Sequence, residues 1–288
     1  MTSEIGTYGE KSLHRELKWL LEPTGALHEA PVCGYVADIK TDAGITEIQT
    51  QSFHLLRGKL TAYLAENTVT LVYPIAREKQ ILWTDGNGGI KAGARRSPKR
   101  GGFYDAFGEL YRIKSFLTDP NLRIKLMLID VSELRSETKT DIKSAPTDMK
   151  YAQADTGRRP AEDRADTGRR PAEDRADAGR RAVKKRGWRK GYRKVETVIR
   201  SYYDELTLVG PMDYIKLIPE SLRGSPTPFT SADYGAAAGL NRRNAGIAMN
   251  VLYHVGVVER TGKRGNFILY QITGAADTGG AEPVLHKN

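Results

Sequence analysis

Period-two alternation marks residues 35–50. Tyr35-Val36-Ala37-Asp38-Ile39-Lys40 and Ile45-Thr46-Glu47-Ile48-Gln49-Thr50 are rich in β-branched residues, and both predict strands. Thr41 to Gly44 predicts the turn between them. Lys40 then pairs with Ile45, and counting back along the ladder sets Asp38 opposite Glu47. A helical period precedes this hairpin, from Gly9 to about Leu21. Leu13, Leu17, Leu20 and Leu21 form one apolar stripe, with Glu10, His14 and Lys18 along its edge. Pro23 and Gly25 end that helix. Phe53, Leu56, Leu60 and Leu64 predict a second amphipathic helix. Val69–Tyr73 and Lys125–Val131 are continuous apolar runs, expected to be buried strands. Ile81–Trp83 followed by Asp85-Gly86-Asn87-Gly88-Gly89 predicts a further hairpin. Phe103 to Phe116 predicts a helix. The order helix, hairpin, helix, strand points to an α/β fold, a mixed sheet with flanking helices.

Residues 154–175 carry two copies of Ala-Asp-Thr-Gly-Arg-Arg-Pro-Ala-Glu-Asp-Arg, and a third decays from Ala176. The copies hold no apolar side chain larger than Ala or Pro, so burial cannot offset their ordering entropy. A disordered polyampholyte linker is expected there. The chain as a whole carries a formal charge of +10, which favours a polyanionic partner. Most of that excess lies between Ala176 and Lys194, with nine Lys/Arg against one Asp. Trp188 and Tyr192 are interleaved with those cations. Contact with nucleic acid is one reading, by phosphate attraction and base stacking. A solvated basic linker running into a helix over 195–203 is the other.

The C-terminal pattern is that of a winged helix-turn-helix. Thr230 or Ser231 caps a short helix through Ala238, Gly239-Leu240 turns, and Asn241 caps a second helix to about His254. Ala245, Met249 and Leu252 face inward, and Gly256 ends the helix. Val257–Arg260 and Phe267–Tyr270 then flank a wing at Thr261–Asn266. In such modules the second helix enters the major groove. Its exposed start is Arg242-Arg243-Asn244, residue types that read base edges or hold phosphates. Lys263 and Arg264 in the wing are placed for the DNA backbone. Use of the module for protein contact is the alternative.

Like charges set directly opposite each other on a sheet destabilise it unless something neutralises them. For Asp38 and Glu47 a divalent cation, Mg²⁺ or Mn²⁺, is the economical answer, since Mg²⁺ takes one or two carboxylates and keeps several waters. The bland alternative is two solvated strand acids. The arrangement resembles the PD-(D/E)XK, or restriction-endonuclease-like, superfamily, whose members carry an acid on one strand of a hairpin and Glu-x-Lys on the next. Asp38 matches the first acid and Glu47 the second. Gln49 stands where the resemblance expects Lys. Some members of that superfamily draw the missing positive charge from a following helix, where Lys59 and Arg57 are the candidates. Glu10 is a third metal ligand in this reading, or an acid favoured by the helix dipole. Glu29 is a weaker candidate, and His14 is either a site residue or a core-edge histidine. More closely, Glu-Lys-Ser-Leu-His (10–14), Glu-Ile-Gln-Thr (47–50), Val-Tyr-Pro-Ile-Ala (72–76) and Arg-Ser-Pro-Lys-Arg-Gly (96–101) resemble a bacterial family in which a nuclease-like domain precedes a winged helix. The resemblance covers about residues 8–135 and 195–272.

The expected organisation is a nuclease-like domain (1–135), a disordered linker with repeats and a basic segment (136–194), a winged helix-turn-helix (195–273) and a flexible tail (274–288). Three functions remain open. The first is a metal-dependent nuclease with Asp38, Glu47, Gln49 and Lys59 at its centre. The second is an inactive nuclease-fold DNA-binding regulator or scaffold, and the third is a protein-interaction module. DNA is the expected partner and RNA is also open. The basic loop with Arg95 and Arg96 is a candidate DNA clamp, and a homodimer would suit an enzyme cutting both strands. The lone Cys33 excludes an intramolecular disulfide and fits a reducing cytoplasm. The sequence shows no signal-peptide pattern and no apolar run of membrane-spanning length, so no membrane partner is expected.

Overall fold

The computed structural model describes residues 12–84, 90, 93–137 and 192–273. The 11-residue repeats, most of the basic segment, the 85–89 turn, Glu10 and the tail lie outside the described residues. Residues up to 136 and from 194 onward form one compact unit; Glu137–Arg193 form a second, almost wholly outside the described residues.

The main unit is built on a mixed sheet. Its strands are β1 (His28–Val32), β2 (Tyr35–Thr41), β3 (Gly44–Ile48), β4 (Val69–Thr84), β5 (Arg95–Arg96), β6 (Leu122–Glu137) and β7 (Tyr192–Leu208). The order is β1-β2-β3-β4-β6-β7, with β5 on β4. β1, β2 and β3 form an antiparallel meander, while β3–β4 and β4–β6 are parallel. Each parallel pair needs a helical crossover. The first crossover is the 3-10 turn Phe53–Leu56 running into α2 (Arg57–Leu64); all four of its expected inward residues, Phe53, Leu56, Leu60 and Leu64, are buried.

Alternate residues of the central strands serve opposite faces. Leu71, Ile124, Leu126 and Leu128 face a large core shared with α2 and with the segment after Phe103. Val72, Met127, Ile129 and Val131 face a smaller core closed by Leu17. Leu17 belongs to α1 (Ser12–Leu21) and is fully buried. Its loss to Ala would cost about 2–5 kcal/mol and loosen the helix that carries His14. The same helix protects the edge of β7. The Ser12 hydroxyl donates to the Thr197 carbonyl (2.8 Å), and Glu16 accepts from the Ile199 amide (2.9 Å). Those backbone groups are thereby unavailable to a further strand.

Four expectations need correction. The expected helix over 195–203 is strand β7. The β-branched and aromatic residues there (Val195, Thr197, Val198, Ile199, Tyr202, Tyr203) suit a pleated edge, and Ser201 and Glu205 meet Asp130 and Lys125 on β6. Leu20 is 54% exposed, because the contact stripe of α1 is carried by Leu17, with Leu13 and Leu21 at its margin. Phe103–Phe116 is not one helix: 3-10 turns at Phe103–Ala106 and Tyr111–Phe116 flank α3 (Phe107–Leu110), with a non-helical Ile113. The hairpin turn is shorter than four residues, since Thr41 pairs with Gly44. Gly44 is required there. Its φ is +131°, and a Cβ would collide with the Thr68 carbonyl oxygen.

Beyond β7 come α4 (Glu220–Arg223), α5 (Ser231–Ala238), α6 (Arg242–His254) and the antiparallel hairpin β8 (Val258–Arg264) and β9 (Phe267–Ile272). The caps fall where the sequence predicts. Thr230 and Asp233 form a reciprocal capping box on α5, Gly239 adopts the left-handed conformation after it, and the Asn241 side chain accepts from the Asn244 amide (2.9 Å). Ala245, Met249 and Leu252 are buried in the large core, so α6 packs inward along one face.

Candidate functional site

The β2–β3 turn and register build the site. Lys40 pairs with Ile45 and Ile39 with Thr46, where the ladder ends; Asp38 and Glu47 are the next residue on each strand, and the Ile48 amide turns to the Asp38 side chain. Both carboxyls are withdrawn from solvent: Glu47 is 2% exposed, and the Asp38 side chain 13%. Asp38 is held from two sides. Its Oδ2 accepts from the Ile48 amide at 2.7 Å and lies 3.1 Å from His14 Nε2, which also lies 3.1 Å from the Ile48 carbonyl oxygen. α1 therefore delivers His14, and β3 delivers both Glu47 and the Ile48 backbone clamp. From the opposite side α2 delivers Lys59. Its Nζ donates to Glu47 Oε2 (3.0 Å) and Oε1 (3.2 Å) and to the Val36 carbonyl (2.7 Å).

The two acids titrate apart. Burial pushes Asp38 up, but the His14 hydrogen bond and charge, with the Ile48 amide and Lys59, outweigh it and hold the carboxyl below its ordinary range. Burial and then the Asp38 charge push Glu47 up to about 7, against the opposing pull of Lys59. One lysine and one histidine thus do not fully compensate two buried carboxylates near neutral pH. Tyr63, one turn after Lys59, lies in the same field. Its hydroxyl is buried with no hydrogen-bond partner among the described residues, and burial together with Glu47 and Asp38 raises its pKa.

This donor set fits a hard divalent cation in part. No hydrogen bond among the described residues reaches Asp38 Oδ1, and Glu47 carries a charge the fold compensates poorly. Two carboxylates with water in the remaining positions suit Mg²⁺. No group of three His, Cys, Asp or Glu placed to hold a metal exists among the described residues. Glu10, the expected third ligand, lies outside them.

Other expected residues fall in different places. Gln49 follows β3, where its amide donates to the Val72 carbonyl (2.9 Å) and its side chain to the Gln51 carbonyl. Arg57 points away and bonds the Arg112 carbonyl, so of the two helix cations only Lys59 meets the acids. Glu29 pairs with the buried Lys18. Arg95 and Arg96 form β5 against Ile81 and Gln80 of β4, both exposed. Arg242, Arg243 and Asn244 lie exposed at the start of α6. Lys263 is exposed on β8, whereas Arg264 donates to Asp233 of the α5 cap (2.9 Å). The Ile48 clamp and Tyr63 were not foreseen. The i, i+4 spacing of Lys59 and Tyr63 is the one sequence signal that would have put both on one helix face.

Residues 11–161 match the family model described as "Domain of unknown function (DUF8091)", just over half of the chain. The chain belongs to that family. The acid pair, Lys59 and the Arg95–Gly101 segment all lie inside the DUF8091 match. The chain is also 32% identical over 126 residues to an "Uncharacterized protein" of Treponema pallidum (strain Nichols), an alignment covering 43% of this chain. It spans about half, 50%, of that curated relative's length. No solved structure matches. Among the described residues no helix is long and apolar enough to cross a membrane.

Proposed function

We propose that the chain is a metal-dependent nuclease of restriction-endonuclease-like type, with a C-terminal winged helix that presents DNA. The observation that carries this is the pair of solvent-withdrawn carboxylates just beyond the end of the β2–β3 ladder, Asp38 and Glu47, close enough for the first to perturb the second, with Lys59 Nζ 3.0 Å from Glu47. Buried like charges cost stability, and perturbed acids of this kind concentrate at functional sites. Asp38 and Glu47 would hold Mg²⁺ or Mn²⁺, with Glu10 as a further ligand. A bound divalent ion lowers the pKa of a coordinated water and offsets charge gathering on the phosphate. The chain's own groups do the positioning. His14 and the Ile48 amide fix the Asp38 carboxylate, and Lys59, when Glu47 turns to the cation, is free to donate to the attacking water or a phosphate oxygen. The water oxygen would then bond to phosphorus while the P–O bond to the leaving sugar breaks; one water proton ends on the leaving oxygen, and the other is lost from the new phosphate to solvent. Lys59 takes the part the superfamily resemblance gives to the residue at Gln49. Arg242, Arg243, Asn244 and Lys263 would meet the DNA, and RNA remains open as a substrate.

Gln49 itself favours a second reading, a DNA-binding regulator that has lost the chemistry. Plasmid and single-strand cleavage with Mg²⁺ or Mn²⁺ separates the two, run on wild type beside Asp38→Ala and Glu47→Ala. Metal-dependent cutting absent from both variants supports the nuclease. Absence of cutting by folded, DNA-binding wild type on DNA and RNA overturns it in favour of the regulator.

A further inference from the structure

The Arg-Ser-Pro-Lys-Arg-Gly segment plays no part in the acid site, yet it is held firmly. It runs along the margin of β4 that β3 has vacated. β3 pairs with β4 as far as Val72; beyond, Arg96 pairs with Gln80, the Ser97 amide donates to the Lys79 carbonyl (2.8 Å), and the Gly101 amide to the Arg77 carbonyl (3.0 Å). Gly101 has no room for a side chain, because a Cβ would collide with the Ala76 carbonyl oxygen. A register shift in β4 between Ala76 and Glu78 bends the strand at the same point. The segment is thus a rigid display, and it walls a cleft of about 200 Å³. Lys79, Arg96, Arg100, Arg200 of β7 and Ser97 line that cleft, with Glu78 as its one acid. Glu78 is answered by Arg100 (3.2 Å), and Lys79 by Glu133 (3.0 Å). Arg96 and Arg200 have no ion-pair partner among the described residues. Two uncompensated guanidiniums, a serine and a rigid backbone in one concave site make a receptor for a phosphate group.

We infer that this cleft holds a backbone phosphate of the nucleic-acid strand that enters the acid pair, an inference that rests on the nuclease reading. Spacing specifies it further. Glu47 lies beside Leu71 and the cleft beside Lys79, eight residues on along the same margin of β4. The register shift takes up one of those residues, so at ~3.3 Å per residue the span is roughly 23 Å. A duplex rises ~3.4 Å per base pair along its axis, so roughly seven base pairs cover that span. A duplex shorter than that span reaches only one of them.

The test is fluorescence anisotropy on the full chain in EDTA, where nothing is cut, with duplexes of about 16 and about 6 base pairs across a salt series. Arg96→Glu/Arg200→Glu is expected to weaken binding of the long duplex about tenfold and to lower its salt slope by about one, since one lost phosphate contact removes ~0.9. Affinity for the short duplex changes little. An unchanged slope for the arginine variant, or no binding by wild type, overturns the inference. Complete displacement of the long duplex by millimolar inorganic phosphate assigns the cleft to a small free anion and also overturns it. The parent reading fails separately: a slope lowered by about one in a protein that never cuts keeps the cleft and removes the nuclease, and cutting with an unchanged slope does the reverse.

Discussion

Two pairs of withdrawn acids lie in the same sheet and are treated in opposite ways. Asp130 on β6 accepts two bonds from Arg77 (2.9 and 2.6 Å), one from Ser201 (3.1 Å) and one from the Glu78 amide (3.1 Å). Glu133, three residues on, is bonded by Lys79 and Arg135. For Asp130 the Arg77 hydrogen bond, and for Glu133 the Lys79 and Arg135 bonds against burial, hold the carboxyl below its ordinary range. These acids are neutralised from within. Asp38 and Glu47 are not: the first is held low by His14 and the Ile48 amide, and the second is driven up to about 7. A buried acid is therefore no signal of function by itself. The signal is a buried acid whose counter-charges do not suffice, because only that site has something left to bind.

The largest expected effect concerns Lys59. Lys59→Met should lower metal-dependent cleavage by about 10²–10³-fold, the usual cost of one lost electrostatic donor, while tightening Mn²⁺ binding because Glu47 loses its competing partner. Cleavage and calorimetry on one preparation check both signs; weaker Mn²⁺ binding would mean that Lys59 is structural.

Next is pH. Glu47 titrates at about 7 when folded against an ordinary 4.5, so the folded state binds the extra proton between those values. Metal-free stability should fall as pH rises through that window, by about 3 kcal/mol at the limit of ~1.36 kcal/mol per unit. Asp38, held low, has the opposite sign: its contribution is present above its unfolded value and is lost in more acidic solution. Urea unfolding in EDTA from pH 5 to 8 should show the fall, and Glu47→Gln should flatten it.

Asp130→Asn probes the other acid site. Leaving Arg77 without its carboxylate should cost about 2–3 kcal/mol, at or below the usual range for a broken buried pair because the arginine retains some water contact. Mn²⁺ binding should be unchanged. A metal-binding defect in this variant would erase the distinction between the two sites. The smallest effect is at α6, where Arg242→Ala and Arg243→Ala should each weaken duplex binding by about 1 kcal/mol or more and lower the salt slope by about one if they hold phosphates.

The contrast also explains what the sequence could reveal. The Lys40–Ile45 register that brings Asp38 and Glu47 to the end of one ladder was legible because a two-strand hairpin is local: alternation and turn residues decide register within about a dozen positions. Helix caps at Thr230 and Asn241 were legible for the same reason. Lys59 could be placed only as one of two cations on a helix, since which one reaches Glu47 depends on how α2 packs. Asp130 and its partners were invisible, because Arg77 and Ser201 meet it only through β4–β6 and β6–β7 pairing across long separations. Strand β7 was missed because a polar, aromatic edge strand lacks the clean alternation of a half-buried one, and its partner lies on the far side of the linker. Tyr63 gave no warning, since a tyrosine at helical spacing is ordinary core until its hydroxyl proves to lack a partner among the described residues.

The central claim is that the uncompensated charge at Asp38 and Glu47 is a cation site. Isothermal titration of Mn²⁺ at pH 8 tests it most directly, on wild type, Asp38→Asn, Glu47→Gln and Asp130→Asn. Saturable binding by wild type and Asp130→Asn, lost in Asp38→Asn and Glu47→Gln while all four remain folded by circular dichroism, is the predicted result. No saturable Mn²⁺ binding by wild type, or binding indifferent to Asp38 and Glu47, would contradict it.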